Sequence, residues 1–262
     1  MKVFLFFIIL LSFGCQHVQR AQVSYSKEDF LVREISHGTE QIRYRVFVPK
    51  DRKAGEKLPV MLYLHGSDER GSDNEGQLSG PAPVILDDPA KFNFIIVFPQ
   101  CPAGRFWDKQ MIELSLVELD QAVQEFNGDE ARLYLAGFSL GGYGVWHAAA
   151  MFPDKFTAVI PMSGRVLPRP TERSKVAPEI LELADAKEPY RVFAERLRNT
   201  PIWIFHGDND PTVPVANSRN MEKALKEAGN VNAHYTELKN TGHVSMNAAL
   251  NDPELFKWLA KQ

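Results

Sequence analysis

The chain has 262 residues, 44% hydrophobic and 24% charged, enough apolar material for one large core and within the range over which α/β folds form a single domain. Thirty basic against thirty-three acidic side chains leave a formal charge of -3, so the composition argues against a strongly cationic nucleic-acid binder.

Met1-Lys2 gives a positive start, and residues 3–11 are an unbroken apolar run too short to span a bilayer. Ser12-Phe13-Gly14-Cys15 follows, small residues leading to a cysteine. The stretch resembles a bacterial lipoprotein signal, which implies that residues 1–14 are removed and that a lipidated Cys15 tethers the protein to a membrane, ordinary secretion being the alternative. Residues 15–26 are polar and aperiodic, as a tether is, and residues 27–262 make the expected globular domain. With Cys15 lipidated, Cys101 is the remaining thiol and no internal disulfide is expected.

From Phe30 onward, short β-branched and apolar runs alternate with longer amphipathic stretches, the pattern of an α/β fold: a mostly parallel sheet with helices on both faces. Eight strands are expected at 30–35, 43–48, 60–64, 94–98, 133–136, 158–162, 202–205 and 233–238. His37-Gly38-Thr39-Glu40 is short enough to join the first two as an antiparallel hairpin. Helices are expected at 111–126, 141–151, 188–199, 215–228 and 253–260; in the first, Leu114, Val117, Leu119, Ala122, Val123 and Phe126 form an apolar stripe. Residues 165–187, with Pro168, Pro170 and Pro178 and many charges, read as an insertion over one end of the sheet, either a solvated loop or a wall of a substrate pocket.

The strand expected at 133–136 runs into Gly137-Phe138-Ser139-Leu140-Gly141-Gly142 and then a helix. Gly-x-Ser-x-Gly between a strand and a helix is the context of a strained turn that exposes a nucleophilic serine. Side chains at 137 and 141 would collide with the neighbouring strand and helix, and the Leu140 N–H, at a helix N-terminus, can stabilise an oxyanion.

A serine nucleophile of this kind needs an acid after a late strand and a histidine after the last one. His206-Gly207-Asp208-Asn209-Asp210-Pro211 follows one, and Asn240-Thr241-Gly242-His243 the other. His243, on a loop, is placed to take the serine proton, whereas His37, His65, His147, His206 and His234 occupy positions better suited to structural roles. Of the two aspartates, Asp208 sits behind the glycine, where its side chain caps local backbone, and Asp210 is favoured as the acid. The loop Tyr63-Leu64-His65-Gly66-Ser67 offers a second oxyanion donor, the Ser67 N–H by position, with Gly66 in reserve.

His65-Gly66-Ser67-Asp68-Glu69-Arg70-Gly71-Ser72-Asp73-Asn74, Pro99-Gln100-Cys101-Pro102, the serine turn, Asp210-Pro211-Thr212-Val213-Pro214 and Gly242-His243 together resemble the predicted-peptidase and carboxylesterase branch of the α/β-hydrolases. That branch is similar to the phospholipase/carboxylesterase group with its acyl-protein thioesterases, and to esterases acting on acetyl or feruloyl groups of plant polysaccharides. The resemblance runs from about Arg43 to the C-terminus. It implies a Ser139-Asp210-His243 triad, Ser67 and Leu140 as oxyanion donors, and a Glu69–Arg70 ion pair under the oxyanion loop. Val244 and Met246 stand where relatives often carry an acidic residue and a tryptophan, which bears on the substrate rather than on the chemistry.

The expected activity is ester hydrolysis through an acyl-enzyme, on short or aromatic acyl esters of a small molecule or a polysaccharide. A serine peptidase is the alternative within the same chemistry, though 262 residues leave no length for a propeller-like gating domain. A non-catalytic binding protein on this scaffold would have no need of serine, acid and histidine together. No metal-ligand spacing and no glycine-rich dinucleotide signature occurs, so no cofactor is expected. Trp107 is a candidate to line the substrate cleft by stacking on a sugar or an aromatic acyl group, its other reading being a packing residue.

Overall fold

The apolar runs in the middle of the chain form strands that are buried on both faces. The computed structural model describes residues 24–38 and 40–262. The expected signal segment 1–14, Cys15 and most of the 15–26 tether lie outside the described residues. Eight strands build one sheet: β1 (Phe30–His37), β2 (Glu40–Phe47), β3 (Leu58–Leu64), β4 (Ile95–Phe98), β5 (Gly128–Phe138), β6 (Ala158–Met162), β7 (Ile202–Gly207) and β8 (Ala233–Leu238). Their order is β1-β2-β4-β3-β5-β6-β7-β8. β2 is antiparallel to both β1 and β4, and every other neighbouring pair is parallel. The hairpin pairs Phe30 with Phe47 and His37 with Glu40, and Gly38 takes φ +62°, a left-handed turn conformation open to glycine at no steric cost.

Among the described residues, the eight α-helices are α1 (Pro81–Asp87), α2 (Lys109–Glu125), α3 (Leu140–Met151), α4 (Pro178–Asp185), α5 (Pro189–Arg196), α6 (Ala216–Glu227), α7 (Met246–Asn251) and α8 (Pro253–Leu259). They divide between the two faces of the sheet as the strand side chains alternate. Val60, Leu62, Ile95, Val97, Leu133 and Leu135 pack under α2 to α6. Met61, Tyr63, Ile96, Phe98, Tyr134 and Ile160 pack under α1, α7 and α8. Burial on both faces is why the central strands read as continuous apolar runs rather than as alternating ones.

Three helices, α1, α4 and α7, were not expected from the sequence. Proline at the first turn of α1 and α4 looks like a breaker, yet N1 is the helical position where its missing N–H costs nothing. Residues 165–187 are therefore a structured cap: a 3-10 turn (Pro170–Lys175) and then α4, anchored by buried Val176, Ala177 and Ile180. In α2, Asp108 caps the N-terminus by accepting from the Met111 N–H at 3.0 Å, and Leu114, Leu119, Ala122 and Val123 face the core. Val117 falls outside the stripe assigned to it and is 51% exposed, because the helix turns it away from the sheet.

At its glycines, α3 packs tightly against the end of β3. A Cβ on Gly141 would stand 1.8 Å from the Leu64 carbonyl oxygen, and one on Gly137 would stand 2.6 Å from the Gly141 carbonyl oxygen. Both obstacles are backbone, so neither can swing aside. Gly141→Ala is expected to destabilise the protein by about 3 kcal/mol or more, which corresponds to about 6–12 °C in Tm for a chain of this size. A melting point within about 2 °C of wild type would contradict this packing.

Candidate active site

The turn between β5 and α3 holds Ser139 at φ +55°, ψ -111°, a conformation that a side chain with a Cβ rarely adopts. It persists because the Ser139 N–H donates to the Met162 carbonyl at 2.8 Å and the glycines at 137 and 141 let α3 close on the sheet. The hydroxyl stands at the end of the strand, half-buried.

Two loops reach it from β7 and β8. They are joined by backbone bonds from Asp208 N to Leu238 O at 3.1 Å and from Asn209 N to Thr241 O at 3.0 Å. Within this frame His243 Nε2 lies 2.8 Å from Ser139 Oγ, and His243 Nδ1 lies 2.7 Å from Asp210 Oδ2. The Phe138 ring sits against the imidazole, 5.1 Å between centroids.

The Asp210 side chain is fully buried, and its carboxylate accepts four bonds. Oδ1 takes the N–H groups of Thr212 and Val213 at 2.8 and 2.9 Å, while Oδ2 takes His243 and, at 3.1 Å, His206 Nε2. Burial by itself would raise its pKa, but the His243 bond and the two backbone donors outweigh it and hold the carboxyl below the usual aspartate range. Asp208 is used differently, because its Oδ1 accepts from the Thr241 N–H at 3.3 Å, across to the histidine loop rather than within its own turn.

His206 is the group that the sequence undervalued. Its Nε2 faces two acceptors, Asp210 Oδ2 and the Val213 carbonyl at 3.0 Å, so it carries the hydrogen, and Nδ1 accepts from Ser218 Oγ at 2.7 Å. Burial lowers its pKa, and the ring is a neutral donor that fixes the carboxylate from behind. The signal was available in the sequence, four residues ahead of Asp210 at the end of a strand.

On the other side of Ser139, the Gly66 N–H is already committed to Glu69 Oε2 at 2.5 Å. The N–H groups of Ser67 and Leu140 have no acceptor among the described residues, so of the two donors offered by that loop it is Ser67 that is free. The expected Glu69–Arg70 ion pair does not form. Glu69 turns under the loop, where burial raises its pKa, and Arg70 turns outward, giving Nε to the Ser67 carbonyl at 2.8 Å and Nη1 to the Arg105 carbonyl at 2.9 Å. Adjacent residues with opposite preferences for burial separate because a lone backbone donor, Gly66, captures the acid.

Trp107 does not line the cleft. It is fully buried, its Nε1 donates to the His65 carbonyl at 3.0 Å, and its ring meets the His65 imidazole edge-on. His65 in turn accepts from the Cys101 N–H at 2.9 Å, and burial depresses its pKa to about 4, a structural role. One residue earlier, half-buried Phe106 is the aromatic that faces the cavity. That cavity has a volume of about 360 Å³ and includes Ser67, Ser139, Leu140 and Val213 among its walls. Among the described residues, no group of three His, Cys, Asp or Glu side chains is placed to hold a metal ion.

A hydroxyl bonded to an imidazole that is bonded to a buried carboxylate can give up its proton as it attacks a carbonyl, and two free N–H groups can take the negative charge that develops on the oxygen.

Residues 116–262 match the model of the prolyl oligopeptidase family. The chain is 31% identical over 173 residues to a bifunctional acetylxylan esterase/xylanase of Neocallimastix patriciarum, covering 64% of this chain and 21% of that one. It is 24% identical over 212 residues to an uncharacterized secreted protein of Arthroderma benhamiae, covering 74% of this chain and 22% of that one. The chain thus spans about a fifth of the length of these two relatives. Among solved structures, a thermostable esterase superposes with a TM-score of 0.72 at 31% identity, covering 89% of this chain and 63% of that one. The α/β-hydrolase fold expected from the motifs is borne out.

Asp210→Asn is expected to slow phosphonylation of Ser139 by a fluorophosphonate about 10⁴-fold, since an amide cannot hold the same histidine tautomer. Asp208→Asn should cost far less, and the reverse ranking would reassign the acid. His206→Phe, which removes a donor from a buried carboxylate, is expected to slow the same reaction about 10- to 100-fold; an unchanged rate would make His206 a packing residue only.

Proposed function

The chain belongs to the prolyl oligopeptidase family, and from that premise we propose that it is a serine hydrolase that cleaves carboxylic esters through an acyl intermediate on Ser139. The hydrogen-bonded row Ser139–His243–Asp210, at 2.8 and 2.7 Å, is the observation that carries the reading. His243 Nε2 takes the Ser139 proton as Oγ attacks the ester carbonyl. The oxyanion receives the Ser67 and Leu140 N–H groups, and the imidazolium then protonates the departing alcohol. Water, deprotonated by the same ring, releases the acid and restores the serine.

The preferred substrates are short or aromatic acyl esters, carried on a small molecule or on a polysaccharide. A long acyl chain contributes about 0.8 kcal/mol per methylene only against an apolar wall. This cavity offers Phe106, Leu140 and Val213, but the cap lines it with Arg165, Arg169 and Lys175. The acetylxylan esterase named for one relative and the esterase structure support an ester as substrate, while the family's name keeps a peptide bond as the second reading.

Export is part of the proposal, supported by the apolar run at 3–11 and by the secreted relative. Lipidation of Cys15 would add a membrane tether; Cys15→Ser is expected to move the protein from the membrane to the soluble fraction, and a wild-type protein found wholly soluble would rule the tether out.

Ser139→Ala is expected to lose ester hydrolysis while melting as the wild type does. Against monomeric substrates, kcat/KM on acetyl to butyryl esters should exceed that on dodecanoyl and longer ones. A steady rise from acetyl to palmitoyl would contradict the short-acyl reading, and aminoacyl amides cleaved faster than the matching esters would favour the peptidase.

A further inference from the structure

Five cationic side chains surround the cavity beside Ser139, and two of them are already neutralised. Arg105 Nη2 donates to both carboxylate oxygens of Asp108 at 2.8 Å, and Arg165 Nη2 to both of Glu172 at 2.6 Å. Arg165 is further fixed with its guanidinium 4.0 Å from the centroid of the Tyr143 ring, one turn along α3 from the serine. Arg70, Arg169 and Lys175 differ: among the described residues, no carboxylate pairs with any of them. Arg70 gives its N–H groups to the carbonyls of Ser67 and Arg105, which orders the side chain but leaves its charge uncompensated.

Among the described residues, Glu172 is the one acid in the cavity wall, and it is spent on Arg165. The cleft therefore holds three unbalanced positive charges in a chain whose formal charge is -3. Lys175 also borders a neighbouring depression, whose other cations, Arg105 and Lys109, are paired with Asp108 and Glu113. A cleft lined by one sign of charge focuses its field and raises the local concentration of the opposite sign. A neutral acetyl or feruloyl ester makes no use of such a field.

We propose that this cleft takes esters that carry a second, ionised acidic group next to the scissile bond, with Arg70, Arg169 and Lys175 as its countercharge. The inference rests on the ester-hydrolase reading and narrows its substrate class. The acidic group can stand on the acyl side, as in the half-ester of a dicarboxylic acid, or on the alcohol side, as in an acylated uronate, and both present a carboxylate to the same wall.

Two matched pairs separate these sources: monoethyl succinate against ethyl succinamate, and an acetylated methyl glucuronide against its glucuronamide. With three exposed cations, each contributing as a surface ion pair does, kcat/KM for the charged member should exceed the neutral one about 5- to 30-fold at low salt. The advantage should collapse as ionic strength rises from about 0.01 M to about 1 M, where the Debye length falls from about 30 Å to about 3 Å. In the Arg169→Glu, Lys175→Glu double variant, checked for an unaltered melt, the ratio should fall to one or below. The same pairs titrated calorimetrically into Ser139→Ala read the anion's contribution without turnover, and the charged member should bind more tightly. Equal binding of charged and neutral members, or a ratio insensitive to salt and to charge reversal, overturns the inference while leaving ester hydrolysis intact. Loss of turnover on every ester with the charged members still bound preferentially would instead overturn the hydrolase reading and keep the anion site.

Discussion

The left-handed backbone at Ser139 is the constraint on which the rest of the site depends. A residue with a Cβ is held there only if the chain on both sides is locked. The lock is the contact of Gly137 and Gly141 with the carboxyl end of β3, reinforced by the Ser139 N–H on β6. The same turn sets the start of α3, frees the Leu140 N–H and lifts the hydroxyl toward the loops after β7 and β8. Core packing on α3, where eleven of the twelve residues are buried, thereby fixes the position of a single oxygen.

Electrostatics in the site is arranged in layers that leave each charge with a defined partner. Asp210 is buried but saturated by four donors, which hold its carboxyl below the usual aspartate range although burial acts to raise it. His206 is kept neutral by burial and donates from behind, and His243 bridges to the serine at the surface of the cleft. Beyond the cleft mouth the arrangement changes. The cap, with Arg169 and Lys175, and the loop after β3, with Arg70, carry cations that no carboxylate among the described residues neutralises, and loops on a rigid scaffold are where specificity commonly resides.

Much of this was legible in the sequence, because the strongest signals are backbone requirements. β6 and β8 match the sequence boundaries, β6 as a short apolar run and β8 as a short stretch closed by turns on both sides. The glycine spacing around Ser139 identified a steric problem that only one kind of turn presents. The errors arose where a side chain had to choose among partners that the sequence does not display. Trp107 was drawn inward by the His65 carbonyl, leaving Phe106 at the cavity, and Glu69 was drawn away from Arg70 by the Gly66 N–H. α1 and α4 were hidden by prolines that begin helices, and α7 by its shortness, six residues with three of them buried.

The ester-hydrolase reading of this cleft requires that a carbonyl carbon become covalently attached to Ser139 during turnover. Rapid acid quench of the protein with an excess of a 4-nitrophenyl ester, followed by peptide mass spectrometry, measures that attachment directly. The expected result is a burst of nitrophenol of about one equivalent per chain when deacylation is the slower step, with an acyl adduct on Ser139 that is absent in His243→Ala. An acyl group found on another residue, or ester cleavage that proceeds at the wild-type rate in Ser139→Ala, would contradict it.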